Sequence, residues 1–118
     1  MARIIICDDA MFVRETLIQI LENEGHQIVA TAGNGKECIE NYRLYQPDIV
    51  LMDITMPDMD GIEATKNILE FDPKAKVIMV SAMGQREKVV EAISVGAKDF
   101  IVKPFQAEKI VKCVKRYL

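Results

Sequence analysis

The feature that most constrains the fold of this chain is a fivefold alternation between two kinds of apolar pattern. Short runs rich in isoleucine and valine alternate with longer segments whose apolar residues lie three and four positions apart. The short runs are typical of buried β-strands, and the longer segments are typical of amphipathic helices. The short runs occupy residues 3–7, 27–32, 49–52, 77–80 and 99–102. The pattern therefore predicts five successive β-α units.

Glycine and proline mark the ends of the predicted helices. Gly25 and Gly96 follow the first and fourth helices, where a residue in the left-handed conformation commonly ends a helix. Pro47 and Pro73 follow the second and third helices. Strands that alternate with helices in this way form a parallel sheet with helices on both faces.

The composition of the strands predicts their order in that sheet. The first, third and fourth runs are almost continuously apolar, which indicates central strands. The second run includes Gln27 and Thr31, which suits an edge. We therefore predict an α/β fold with a doubly wound, five-stranded parallel sheet of order 2-1-3-4-5, the flavodoxin-like (βα)5 arrangement. No linker or repeat interrupts it, so we expect one domain over residues 1–118.

Composition and charge exclude several classes of protein. The net charge is −3 and the chain has no tryptophan, so neither a basic nucleic-acid surface nor a base-stacking platform is expected. No apolar stretch reaches the length of a membrane span, and the N-terminus becomes polar too soon for a signal peptide. We expect a monomeric cytoplasmic protein that binds neither nucleic acid nor membrane.

The three cysteines, Cys7, Cys38 and Cys113, are widely spaced, and His26 is the only histidine. A zinc site needs four such ligands, usually in close pairs, so zinc is not expected. For a cytosolic protein we expect all three cysteines to be reduced, buried thiols.

Polar side chains that could bind a ligand or take part in a reaction follow four of the five predicted strands. Asp8 and Asp9 follow the first strand, Asp53 the third, Ser81 the fourth and Lys103 the fifth. The carboxyl ends of parallel strands meet at one edge of a sheet, and ligands bind there, where the strand order reverses. The sequence thus predicts a polar site between the first and third strands.

Grouped carboxylates at this edge indicate a cation site. Two carboxylates about 5 Å apart repel by about 3 kcal/mol at an effective dielectric constant of about 20. Magnesium relieves such repulsion and suits a site that also holds a phosphate. A carboxylate can form an acyl phosphate, while Lys103 and Ser81 supply an ammonium and a hydroxyl. We therefore predict a Mg²⁺-dependent phosphoryl-transfer site, with Lys103 paired to Asp53 when the site is empty.

Several motifs together resemble the receiver domain of two-component response regulators, and specifically the single-domain chemotaxis regulators. They are Asp8-Asp9, Asp53 followed by Ile54-Thr55-Met56-Pro57, Asp60-Gly61, Ser81-Ala82 and Lys103-Pro104-Phe105. The resemblance covers the chain from Arg3 to its C-terminus.

The resemblance implies a role for each matching residue. Asp53 is the expected phosphoacceptor and Asp9 the expected direct magnesium ligand. Asp8 lies close by and is expected to act through water, and the backbone carbonyl of Thr55 is a further ligand. Lys103 is expected to pair with the phosphoryl group and to precede a cis peptide bond to Pro104.

The same resemblance implies that Ser81 is the switching hydroxyl and Phe100 the switching aromatic residue. The family more often has threonine at the first of these positions and often has tyrosine at the second. Phe100 lacks a hydroxyl, so a switch at this position would act by packing alone.

The function that follows is a signalling switch rather than an enzyme acting on a separate substrate. A sensor histidine kinase would phosphorylate the protein, a phosphatase could reverse the reaction, and the flagellar motor switch protein would be the output partner. Two alternatives stay open: a phosphorelay carrier, and an isolated receiver domain of a transcriptional regulator. A phosphatase of the haloacid dehalogenase type is disfavoured because Thr55 stands where its acidic catalyst would be.

Overall fold

The computed structural model describes residues 1–118 and contains one five-stranded parallel sheet of order β2-β1-β3-β4-β5. The strands are β1 (Arg3–Cys7), β2 (Gln27–Ala32), β3 (Ile49–Asp53), β4 (Val77–Ser81) and β5 (Asp99–Val102). The predicted α/β fold, strand order and central position of β1, β3 and β4 are confirmed. β3 and β4 each run one residue further than the sequence predicted, to Asp53 and Ser81.

Five helices connect and cover the strands. They are α1 (Met11–Asn23), α2 (Gly35–Tyr45), α3 (Gly61–Phe71), α4 (Arg86–Ser94) and α5 (Ala107–Arg116). Apolar residues of α2, α3 and α4 pack into one core layer, and those of α1 and α5 pack into another. The sheet separates the two layers, so β1, β3 and β4 are buried on both faces.

The helix ends follow the local sequence signals. The side chains of Asn34 and Asp60 accept hydrogen bonds from the third residue of α2 and α3, at 2.9 and 2.8 Å. Gly25 and Gly96 have φ of +85° and +121°, the left-handed region that ends α1 and α4.

A close backbone approach fixes where α3 begins. A Cβ at Gly61 would collide with the backbone carbonyl of Asp53, and the N–H of Gly61 donates to the carbonyl of Ile54 at 2.7 Å. Only glycine lets the start of α3 lie this close to the end of β3. The position of Asp53 therefore depends on this contact.

The expectation of three reduced thiols is wrong for two of the cysteines. Cys7 and Cys38 form a disulfide with Cα atoms 6.1 Å apart, whereas Cys113 is a free, buried thiol. The fold places the end of β1 against the first turn of α2, at a Cα separation that a disulfide requires. The two residues are 31 positions apart in the chain, so their spacing in the sequence gave no sign of this contact.

None of the five helices combines the length and the apolar character that crossing a membrane requires.

Candidate functional site

Three carboxylates meet at the carboxyl-terminal edge of the sheet. Asp8 follows β1, Asp9 comes next, and Asp53 ends β3 beside it. One oxygen from each of the three lies within 4.8 Å of the others. Asp8 is 1% exposed and Asp53 is 6% exposed, while Asp9 is open to solvent. The structure thus brings together the three acids that the sequence analysis placed at this edge.

Lys103 reaches this cluster from the end of β5. Its Nζ lies 2.7 Å from Oδ2 of Asp8 and 3.5 Å from Oδ2 of Asp53. The expected pairing with Asp53 is therefore the weaker of two contacts. Asp8 is the more buried carboxylate, and a short charge-assisted hydrogen bond offsets more of its desolvation cost. The peptide bond between Lys103 and Pro104 is cis, as expected.

The oxygens of Asp8 are both occupied within the protein. Oδ1 accepts from the N–H of Ala10 at 2.9 Å, and Oδ2 accepts from Lys103. Arg14 also donates to the backbone carbonyl of Asp8 at 2.6 Å. Asp8 is therefore held in place, whereas Asp9 remains open to solvent.

The environment of Asp53 favours its protonated form. Burial and the negative charges of Asp8 and Asp9 together raise the pKa of Asp53 to about 6, against the lowering effect of Lys103. Lys103 thus compensates only part of the cost of keeping this carboxylate charged. A cation that binds beside Asp53 would lower its pKa and favour the ionised, nucleophilic form.

Ser81 ends β4 next to Asp53 and is 1% exposed. Its hydroxyl is the one buried side-chain polar atom of the protein that has no hydrogen-bond partner. A buried hydroxyl without a partner costs free energy, so this donor is available to a ligand that binds at the same edge.

Phe100 lies on β5 and is 42% exposed, so the aromatic side chain faces solvent in this state. Thr55 is exposed in the loop after β3, and its Oγ1 accepts a hydrogen bond from Nε2 of Gln85 at 2.7 Å. Gln85 is not among the site residues that the sequence predicts. The signal was available, because glutamine directly precedes α4, where serine, threonine or aspartate usually caps a helix.

The donor set at this edge fits magnesium. Carboxylate oxygens are the ligands that Mg²⁺ prefers, and a site with few protein ligands leaves room for water and phosphate oxygens. The partnerless hydroxyl of Ser81 and the raised pKa of Asp53 both indicate a site that is completed by a cation and an anion. The cluster could therefore hold a metal ion, with Asp9 and Asp53 supplying the more available oxygens.

A second surface lies beside the site, formed by α4, β5 and α5. An apolar groove between α4 and β5 is lined by Val89, Val90, Ile93, Phe100 and Val102. A more polar groove continues along α5, lined by basic residues that include Lys109, Lys112 and Arg116. Phe100 and Val102 line both grooves, so the side chain of Phe100 contributes to the shape of this surface.

Comparisons with known proteins agree with this geometry. The family model of the response regulator receiver domain matches residues 4–115. The chemotaxis protein CheY of Thermotoga maritima is 51% identical over 97% of this chain and 95% of its own length. CheY of Bacillus subtilis is also 51% identical, over 98% of this chain and 97% of its own length.

A solved structure extends the similarity to three dimensions. CheY in a complex with CheX, BeF3 and magnesium from Borrelia burgdorferi superposes with a TM-score of 0.92. The two chains are 43% identical, and the match covers 97% of this chain and 87% of the other. The family model matches nearly the whole chain, two relatives are 51% identical to it, and a solved relative shares its fold. We conclude that this chain belongs to the family of response regulator receiver domains.

Proposed function

We propose that this receiver domain is a stand-alone response regulator that a sensor histidine kinase phosphorylates on Asp53 in a magnesium-dependent reaction. The observation that carries the proposal is the buried carboxylate of Asp53 beside Lys103, two further acids and the partnerless hydroxyl of Ser81. Each of these groups has a use in receiving a phosphoryl group, and together they are costly for stability alone.

The proposed reaction is an in-line displacement at phosphorus. A carboxylate oxygen of Asp53 forms a bond to the phosphorus of a phosphohistidine, and the P–N bond breaks. The histidine nitrogen keeps the electron pair and takes up a proton. Bound magnesium would supply neutralisation of the phosphoryl oxygens. Asp9, Asp53 and the backbone carbonyl of Thr55 would hold the ion directly, and Asp8 would act on it through water.

The residues of the chain then carry the change outward. The Nζ of Lys103 is free to exchange its contact with Asp53 for a phosphoryl oxygen. The hydroxyl of Ser81 gains its missing partner when it donates to another phosphoryl oxygen. Ser81 moves inward, and the exposed ring of Phe100 follows by packing into the space that Ser81 leaves. The grooves between α4, β5 and α5 change shape as a result.

The output that we propose is chemotaxis, through binding of the altered grooves to the flagellar motor switch protein. The two CheY relatives described above support this assignment, because the match spans nearly the whole of each. Lys109, Lys112 and Arg116 are the candidate charged contacts. The protein would act as a cytoplasmic monomer that catalyses its own phosphorylation from a phosphodonor and its own dephosphorylation, with a phosphatase as a further partner.

Acetyl phosphate with Mg²⁺ tests the chemical part of the proposal. We expect one phosphoryl group per chain, placed on Asp53 by borohydride trapping and mass spectrometry, and none in Asp53→Asn. The matched control is Asp58→Asn, which alters an exposed aspartate in the loop after the same strand and should label normally. Labelling of Asp53→Asn, or labelling in the presence of a chelator, would contradict the mechanism.

Binding to purified flagellar motor switch protein tests the proposed output. We expect phosphorylation to tighten this binding by at least about tenfold, which corresponds to about 1.4 kcal/mol. Phosphoryl transfer from Asp53 to a histidine phosphotransfer protein, with no binding to the motor protein, would instead favour the phosphorelay carrier.

A further inference from the structure

The side chain of Gln85 joins the two loops that leave the site. Its Oε1 accepts a hydrogen bond from the backbone N–H of Ala82 at 2.7 Å. Its Nε2 donates to Oγ1 of Thr55, also at 2.7 Å. Gln85 directly precedes α4 but does not cap that helix with its side chain. The side-chain amide therefore links the two loops and does not cap the helix. We call this pair of hydrogen bonds the Gln85 clasp.

The clasp spans the two strand ends that carry Asp53 and Ser81. Thr55 is two residues beyond Asp53, and Ala82 directly follows Ser81. β3 and β4 are neighbours in the sheet, with Asp53 opposite Val80. The loop after β3 and the loop after β4 are thus joined at the same edge where a group added to Asp53 would lie.

Two hydrogen-bond donors lie next to the clasp, and one of them is without a partner in this state. The hydroxyl of Ser81, at the end of β4 where the loop begins, is buried without a partner. The N–H of Ala82 is a donor at the same edge, and Gln85 already occupies it. A phosphoryl group brings oxygens that need donors, so it competes with the clasp for this loop.

We propose that Gln85 is a positioning residue that holds the loop after β4 in its unphosphorylated place, and that the clasp opens when Asp53 receives a phosphoryl group. This inference rests on the proposed phosphorylation of Asp53. The clasp lowers the affinity of the site for an anion, because its two hydrogen bonds must break before the anion can bind.

Removal of the clasp should therefore favour the state with the anion bound. In Gln85→Met, which keeps the length of the side chain but lacks both polar atoms, beryllofluoride should bind about fivefold more tightly in the presence of Mg²⁺. Gln85→Ala should behave in the same way. Thr55→Val removes only one of the two bonds and should have a smaller effect. Lys88→Ala, at an exposed position of α4, is the matched control.

A spectroscopic measurement on the unaltered protein separates the clasp from a general effect on folding. The side-chain amide protons of Gln85 should exchange slowly with solvent in the Mg²⁺ form. On addition of beryllofluoride they should exchange quickly, with a chemical shift typical of a free glutamine side chain. Urea midpoints of the variants, measured without the anion, provide the check on folding.

The outcomes distinguish this proposal from the one on which it rests. Tighter binding in both Gln85 variants, together with release of the Gln85 amide in the unaltered protein, supports the clasp. Unchanged or weaker binding in those variants, or an amide that stays protected with the anion bound, overturns the clasp alone. If the unaltered protein binds no beryllofluoride with Mg²⁺ present, the proposed function and the clasp are both overturned.

Discussion

At the amino-terminal edge of the sheet the polar side chains are engaged in hydrogen bonds that hold the chain together, whereas at the carboxyl-terminal edge acidic side chains crowd together and the buried hydroxyl of Ser81 lacks a partner. Asp48 accepts from the N–H of Arg3 at 2.8 Å, and Nδ1 of His26 accepts from the N–H of Ala2 at 3.0 Å. Tyr42 donates to Asp72 at 2.8 Å, and burial together with this contact raises the pKa of Tyr42. Each of these groups has its hydrogen-bond partner within the folded chain.

The opposite edge gathers groups that destabilise one another. Three carboxylates lie together and the ammonium of Lys103 contacts two of them. The pKa of Asp53 is raised to about 6, and the hydroxyl of Ser81 is buried without a partner. The same backbone ladder supports both edges, so the difference lies in the side chains alone. Polar groups that find hydrogen-bond partners within the fold contribute stability. Polar groups that lack a partner or repel one another mark the place where ligands bind.

The largest effect should come from the glycine that brings α3 against Asp53. In Gly61→Ala the new Cβ would collide with the carbonyl of Asp53, so we expect a loss of roughly 4 kcal/mol in the free energy of unfolding. Affinity for Mg²⁺ should fall as well, because Asp53 must move. Circular dichroism during urea unfolding and calorimetry with Mg²⁺ measure the two effects.

Gly25→Ala provides the matched substitution at the other edge. Gly25 has φ of +85°, but a Cβ there would meet only the end of Met1, at 3.8 Å. The strain should cost about 1 to 2 kcal/mol and leave the affinity for Mg²⁺ unchanged. A Gly61→Ala protein as stable as Gly25→Ala would show that the close approach does not fix the site.

The next effect has the opposite sign, because removal of a charge from the crowded edge should stabilise the protein. A folded-state pKa of about 6 for Asp53, against an ordinary value of 3.8, makes ionisation cost about 3 kcal/mol of stability at pH 8. This contribution is absent below pH 3.8, where the residue is protonated in both states. It grows as the pH rises and is complete above pH 6.

In a chelator, Asp53→Asn should therefore be more stable than the parent by up to about 3 kcal/mol at pH 8, and by less than about 1 kcal/mol at pH 4. Urea unfolding across this pH range gives the difference, and exposed Asp58→Asn should show little dependence on pH. A gain that increases as the pH falls would mean that repulsion at Asp53 is not the cause.

The smallest effect belongs to the amino-terminal edge. Tyr42→Phe removes the hydrogen bond to Asp72 and should lower the free energy of unfolding by about 1 to 2 kcal/mol. Phosphorylation by acetyl phosphate and affinity for Mg²⁺ should not change, because this contact lies at the far end of the sheet. A change in either at constant stability would mean that the two edges are coupled.

The sequence alone determined the architecture of this protein and the edge on which its functional residues lie. Five apolar runs alternating with helical patterns admit few folds, and the polar residues in the second run placed it at an edge. Because the carboxyl ends of parallel strands meet at one edge, the positions of Asp8, Asp53, Ser81 and Lys103 followed from the strand assignments. Periodicity is a local property of the chain, so it can be read from the sequence without knowledge of any tertiary contact.

The tertiary structure decided what those residues contact. Lys103 is closer to Asp8 than to Asp53, Cys7 is bonded to Cys38, and Gln85 joins the loops at Thr55 and Ala82. Each of these outcomes depends on differences of an ångström or less between side chains from separate segments, and on how deeply each is buried. Sequence spacing carries no such information, because hydrogen bonds and ion pairs depend on distance and burial in the folded state.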